Sequence, residues 1–234
     1  MGRGTINLPE ANTFKGGGWK ITYCMSDIHG DLDRFQKMLK EIAFSDADVL
    51  YVLGDVIDYR IGGVAILSQI MQATNMTLIR GDHEQMCLDA LGPDGSLRRR
   101  SIWYHYGGHP TFLELRHSFT EPEQADILQY LAGSPDHVEV EVNHRCFYLV
   151  HGLPSNDTRT RLWGHPSSNM AAPLSGCTAV VGHTPTPILN GPLDDPYVIW
   201  HGNGIIGIDC GCEGSDDLRK LACLRLEDLA EFYA

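Results

Sequence analysis

Long apolar runs are missing from this chain. Nowhere do about 18 consecutive apolar residues occur, the length a membrane-spanning helix needs. The first twenty residues also lack a basic start followed by an apolar stretch, so neither secretion nor membrane insertion is expected and the cytoplasm is the default compartment. Basic charge is scarce as well: 18 Lys and Arg stand against 30 Asp and Glu, for a formal net charge of −12. A nucleic-acid backbone is therefore excluded as the main partner, because its affinity comes from a large basic surface. The one basic run, Arg98 to Arg100, reads as a solvated helix end or loop. Linkers, internal repeats and low-complexity segments are absent too, so the chain reads as one domain over 19–234 preceded by a Gly-rich peripheral segment over 1–18. Seven cysteines, an odd number scattered from Cys24 to Cys223, are expected to be reduced, buried thiols rather than a disulfide framework. Cys210 and Cys212 are too close for an ordinary bridge, and no second pair completes a zinc site.

What is present is ordinary globular composition, 43% hydrophobic and 21% charged, carrying a repeated pattern. A β-rich stretch from Trp19 to Met25 stops at a polar loop, and apolar residues from Leu32 to Phe44 then recur at helical spacing. The pattern repeats as a strand over 48–53, a loop over 54–58 and a helix over 63–73, and again as a strand over 76–79, a loop over 80–84 and a helix over 83–91. Strand–loop–helix repeated in this way predicts a parallel sheet with ligands at the strand C-termini. Beyond Gly92 the pattern predicts a loop-rich stretch over 103–110, a helix over 121–131, and strands over 137–142, 146–150, 178–181, 197–200, 205–208 and 221–226, mostly antiparallel. Both halves fit a mixed α/β fold of two packed sheets flanked by helices, an αββα sandwich.

The strand ends carry the chemistry. The first three deliver Asp27 and His29, then Asp55 and Asp58, then Asp82 and His83; two later ones deliver His151 and His183. Carboxylates and imidazoles together suit divalent metals such as Mn, Fe or Zn, and there are more candidates than one ion needs, so two ions are expected. Adjacent glycines (Gly30, Gly54, Gly81, Gly152, Gly182) would let the backbone approach a cation in conformations closed to other residues. Helix capping is an adequate account of Asp31 and Asp33, but it does not explain histidines after apolar strands. His105, His109 and His165 are read as ordinary polar residues first and pocket residues second, and Met71 and Met76 as core. Trp163, Trp200 and Tyr106 could pack a substrate, with burial the first reading for the two tryptophans.

The segments Asp27-Ile28-His29-Gly30-Asp31, Gly54-Asp55-Val56-Ile57-Asp58, Arg80-Gly81-Asp82-His83-Glu84, His151-Gly152 and Gly182-His183-Thr184-Pro185 resemble, in order, the motifs of the calcineurin-like metallophosphoesterases. Within that family they are most similar to the PPP-type serine/threonine phosphatases of bacteria and bacteriophage. The resemblance implies one metal on Asp27, His29 and Asp55, and a second on Asp55, residue 82, His151 and His183, with a bridging water attacking phosphate directly. It further implies His83 as general acid oriented by Asp58, Arg80 on a phosphate oxygen, and a phosphoprotein or phosphorylated small molecule as substrate. Manganese is the first expectation for the metal.

The chain departs from the pattern at informative places. The family has Asn where Asp82 stands, which adds a negative charge beside the metals and the phosphate. Asp58 is followed by Tyr59-Arg60 instead of Arg-Gly, so Arg60 reaches phosphate only if the loop compensates. Tyr106 stands where Asn is usual and His165 where Arg is frequent. Two alternatives follow: a dinucleoside polyphosphate hydrolase of the same fold, or a metal-loaded but silent phosphate-binding form.

Overall fold

The computed structural model describes residues 21–214 and 218–234. The predicted peripheral segment over 1–18 and the start of the first predicted strand lie outside the described residues. The elements run β1 (Thr22–Met25), α1 (Leu32–Glu41), β2 (Val49–Leu53), α2 (Gly63–Gln72), β3 (Met76–Ile79), α3 (Asp82–Leu91), α4 (Leu97–His105), α5 (His109–Ser118) and α6 (Glu121–Gly133). They continue with β4 (His137–Val142), β5 (Arg145–Val150), α7 (Thr158–Trp163), β6 (Cys177–Val181), α8 (Thr186–Asn190), β7 (Trp200–His201), β8 (Ile205–Gly207), β9 (Ala222–Arg225) and β10 (Glu231–Tyr233).

The strands form two five-stranded sheets, ordered β10-β9-β1-β2-β3 and β4-β5-β6-β8-β7. Alternation along each strand explains the layering. Tyr23 and Met25 of β1 face a cluster with Phe35, Met38, Ile66 and Leu67 of the helices, whereas Cys24 faces a second cluster with Phe147, Leu149 and Val180 of the other sheet. Tyr148, Val150, Ala179 and Val181 turn to a third cluster on the far face of that sheet. This is the expected αββα sandwich, and each fully buried Leu, Ile or Val in it contributes roughly 1.5–3 kcal/mol.

The caps follow local chemistry. Asp31 accepts from the Arg34 amide at the start of α1, and Thr120 with Glu123 forms a capping box on α6. Gly62, at the N-cap of α2, has no capping side chain; the buried Glu114 of α5 accepts from the amides of Gly62, Val64 and Ala65 instead, at 2.9, 3.2 and 3.0 Å.

Several expectations are corrected. The predicted loop-rich stretch is helical except over 106–108, because Ser96 caps α4 and His109-Pro110 opens α5. Arg98 to Arg100, in keeping with the expected solvated helix end, lie in the first turn of α4 with Arg98 and Arg99 exposed. The second sheet is mixed: β5–β6 and β6–β8 are parallel, β4–β5 and β7–β8 antiparallel. Residues 197–199 are not strand, since Asn190 takes the Pro196 and Val198 carbonyls and the Tyr233 hydroxyl takes the Ile199 amide. β9 and β10 cross to the first sheet and pair antiparallel beside β1. Cys146 and Cys177 are not thiols but a disulfide: parallel register sets them opposite each other with Cα atoms 4.6 Å apart. The other five cysteines are free and buried, Cys210 and Cys212 among them. No described helix is long and apolar enough to cross a membrane.

Candidate metal centre

The ends of β1, β2, β3, β5 and β6 converge at the rim between the two sheets. Loop backbones hold one another there, with Asp27, His29 and Gly30 donating to the carbonyls of Gly54, Asp55 and Val56 at 3.1, 2.9 and 2.8 Å. Asp27, His29, Asp55, Asp58 and His183 all take left-handed backbone conformations, with φ of 53°, 48°, 55°, 75° and 62°. Each is disfavoured for a residue with a Cβ by about 1 kcal/mol or more, a cost that clusters where side-chain direction matters more than local stability. Gly54 is required beside them: at φ 80°, a Cβ there would stand 2.7 Å from His151 Nδ1 and 2.5 Å from the Gly81 backbone.

Two donor groups result, each with its ligand atoms within 4.8 Å of one another: Asp55, Asp82, His151 and His183, and His29, Asp55 and His83. Asp55 belongs to both, and its two oxygens are divided between them. Oδ1 lies 3.3 Å from His151 Nε2; Oδ2 lies 3.6 Å from His29 Nε2 and 3.8 Å from His83 Nε2. Asp82 Oδ1 lies 3.0 Å from His151 Nε2 and 3.1 Å from His183 Nδ1. Carbonyls fix two imidazoles, since they can only accept: His29 Nδ1–H donates to Ile57 O at 3.1 Å and His151 Nδ1–H to Leu53 O at 2.7 Å, leaving each Nε2 lone pair to the centre.

The charges fit cations. Burial, reinforced by the Asp55 charge and offset by His151, pushes the Asp27 carboxyl up to about 8. Burial and the neighbouring His83 charge push the His29 imidazole down to about 3. Burial opposes the charge on His83, yet the carboxylates of Asp55, Asp58 and Asp82 outweigh it and hold that imidazole up to about 10. Burial also raises Asp82, but hydrogen bonds to His151 and His183 win and hold it well below the usual carboxylate range. His183 Nε2 is buried without a hydrogen-bond partner. Crowded buried carboxylates, oriented imidazole lone pairs and an orphaned ring nitrogen form the donor chemistry of a site for two divalent ions.

The sequence-predicted residues gather unevenly. Asp27 is buried at the rim but outside both donor groups, its carboxylate bonded to the Ser26 hydroxyl and to the His183 amide. His83 Nδ1 lies 2.7 Å from Asp58 Oδ2, as an oriented pair requires. The guanidinium of Arg60 donates to the carbonyls of Glu213 and Gly214, and that of Arg80 to the carbonyl of Ala132. His105 and His109 contact Tyr106 and Tyr104, whereas His165 stacks on His183 with ring centroids 4.5 Å apart. Trp200 is buried, Trp163 half-buried and Tyr106 exposed.

Three contributors escaped the sequence reading. Buried Glu84 accepts from the amides of Asp55, Val56 and Gly81, each at 2.9 Å, tying two ligand loops together; its place three residues after Gly81 was the available signal. Tyr59 sets its ring edge-on to His29 at 4.9 Å and beside His83 at 5.4 Å. Trp103 donates to Asp58 from a helix that sequence periodicity did not reveal.

Known proteins share the family and the fold. The model of the calcineurin-like phosphoesterase family matches residues 22–206. Serine/threonine-protein phosphatase 1 of Salmonella typhimurium is 32% identical over 136 residues, 57% of this chain and 59% of that protein, so the match spans about three-fifths of the relative's length. Among solved structures, a candidate diadenosine tetraphosphatase superposes with a TM-score of 0.64 at 14% identity over 92% of this chain and 93% of that one. A metallophosphoesterase from Sphaerobacter thermophilus gives 0.61 at 20% identity over 91% and 87%. The fold, the ordered strand-end residues and the family match together make this chain a member of the calcineurin-like phosphoesterase family.

Proposed function

We propose that the chain is a metal-dependent phosphomonoesterase that acts on phosphoserine and phosphothreonine in proteins, with manganese as its working metal. One observation carries this reading: Asp55 presents one oxygen to each of two donor groups, and His83, paired with Asp58, brings its Nε2 within 3.8 Å of Asp55 Oδ2 in the second of them. Asp27, His29 and Asp55 would hold one ion; Asp55, Asp82, His151 and His183 would hold the other. Two bound cations supply an activated water and neutralise charge on the phosphate.

The chain's own residues then have distinct tasks. His83 donates Nδ1–H to Asp58 and carries its transferable proton on Nε2, which faces the donor groups. As the ester bond breaks, that proton passes to the leaving oxygen, a role usually worth about 10²–10⁴ in rate. Asp58 keeps the imidazole charged and oriented, and Glu84 holds the loops of Asp55 and Asp82 in register. The 32% identity to a serine/threonine phosphatase supports the substrate class.

The test is manganese-dependent hydrolysis with product analysis. Free phosphate released from a phosphoserine or phosphothreonine peptide is expected. Release of nucleoside diphosphate from a dinucleoside tetraphosphate, with the peptide left intact, would replace this substrate class by a nucleotide.

A further inference from the structure

Asp58 Oδ2 accepts two hydrogen bonds of equal length, 2.7 Å from His83 Nδ1 and 2.7 Å from the indole Nε1 of Trp103. Its other oxygen, Oδ1, is buried with no hydrogen-bond partner within bonding distance, and the Thr111 hydroxyl oxygen accepts from the Asp58 backbone amide at 2.8 Å. We infer that Trp103 is a positioning residue for proton donation by His83, acting through Asp58. The inference rests on the proposed role of His83.

The argument is one of constraint. A carboxylate held through one oxygen by one mobile partner can rotate about its terminal bond and carry that partner with it. Trp103 removes this freedom. Its ring is fully buried, and an indole N–H can only donate, so it defines a single position for the accepting oxygen. The ring is fixed in turn by Gly108, where a Cβ would lie 2.3 Å from the indole, and whose amide donates to the Trp103 carbonyl at 3.0 Å. α4 thus reaches into the site through one N–H, holding Asp58 so that His83 presents Nε2 to the leaving oxygen. During the reaction the His83 Nε2 proton moves to that oxygen as the phosphorus–oxygen ester bond breaks; Trp103 keeps its proton throughout.

Such a role has a signature that packing alone lacks, because proton donation matters in proportion to the basicity of the leaving group. Trp103→Phe keeps the buried ring and removes the donor. In W103F, kcat for phenyl phosphate is expected to fall about tenfold, the scale of one hydrogen bond to a charged group. kcat for p-nitrophenyl phosphate should change little, and KM should hold for both. In a His83→Ala background W103F should cost nothing further, since the residues act in series. Equal losses on both substrates, or full additivity with H83A, would overturn the inference.

A readout independent of turnover separates this inference from the proposed function. The proton resonance of His83 Nδ1–H should shift in W103F, and an unmoved resonance would overturn the positioning role even in an active enzyme. A chain that hydrolyses neither ester but shows the shift would refute the phosphatase reading and leave the Trp103–Asp58–His83 linkage standing. Should W103F fail to fold, Asp58→Asn supplies the reciprocal test: the Trp103 indole N–H resonance must move, and a stationary one refutes the linkage.

Discussion

Asp82 Oδ1 lies 3.0 Å from His151 Nε2, inside the donor group and at the position where the family resemblance implies an amide. A carboxylate there strengthens cation binding and at the same time repels an incoming phosphate dianion. Asp82→Asn is therefore expected to weaken metal retention against a chelator and to lower KM for p-nitrophenyl phosphate about tenfold, the order of one partly screened like-charge contact. The first change is read from manganese titrations against a chelator and the second from p-nitrophenyl phosphate saturation curves of the two proteins; a KM that does not move would remove charge at Asp82 as a determinant of phosphate affinity.

His83→Ala should lower kcat for phenyl phosphate by about 10²–10⁴, the usual range of general acid catalysis, with KM nearly constant. Steady-state kinetics on that substrate check it. An unchanged kcat would take His83 out of the mechanism.

Two metal equivalents per chain are expected by elemental analysis after manganese loading. Chelation should abolish hydrolysis and also lower thermal stability, because bound cations relieve the repulsion between the Asp55 and Asp82 carboxylates, both held ionised. At free metal about 100 times its Kd, the linkage amounts to about 2.7 kcal/mol for each ion bound. A melting temperature indifferent to the chelator would mean that the donor groups do not hold ions in the folded chain.

Glu114→Ala should destabilise the fold by about 2 kcal/mol, since it strips a buried carboxylate from three amides at the start of α2. Urea unfolding measures this directly. A loss near zero would show that water can replace the cap.

The reading of the chain itself reached furthest where physics is local. Alternating apolar residues before Ser26, a helical period after Leu32 and polar loops between them were enough for β1, α1 and the two repeats that follow, and so for the placement of Asp27, His29, Asp55, Asp82 and His83 at one rim. The helices α4 and α5 were hidden because Gly107-Gly108 and Pro110 read as loop signals, whereas in the fold they close one helix and open the next. Only tertiary structure decided the rest. Parallel pairing of β5 with β6 joined Cys146 to Cys177 and brought His151 beside His183, a matter of register between strands about thirty residues apart. Arg60 turned to the carbonyls of Glu213 and Gly214, and Trp103 found Asp58, across 153 and 45 residues respectively. The sequence by itself determined which donors stand at strand ends, because strand ends are written in short-range periodicity. Which side chain meets which was decided by packing between distant segments, which leaves no periodic trace in the chain.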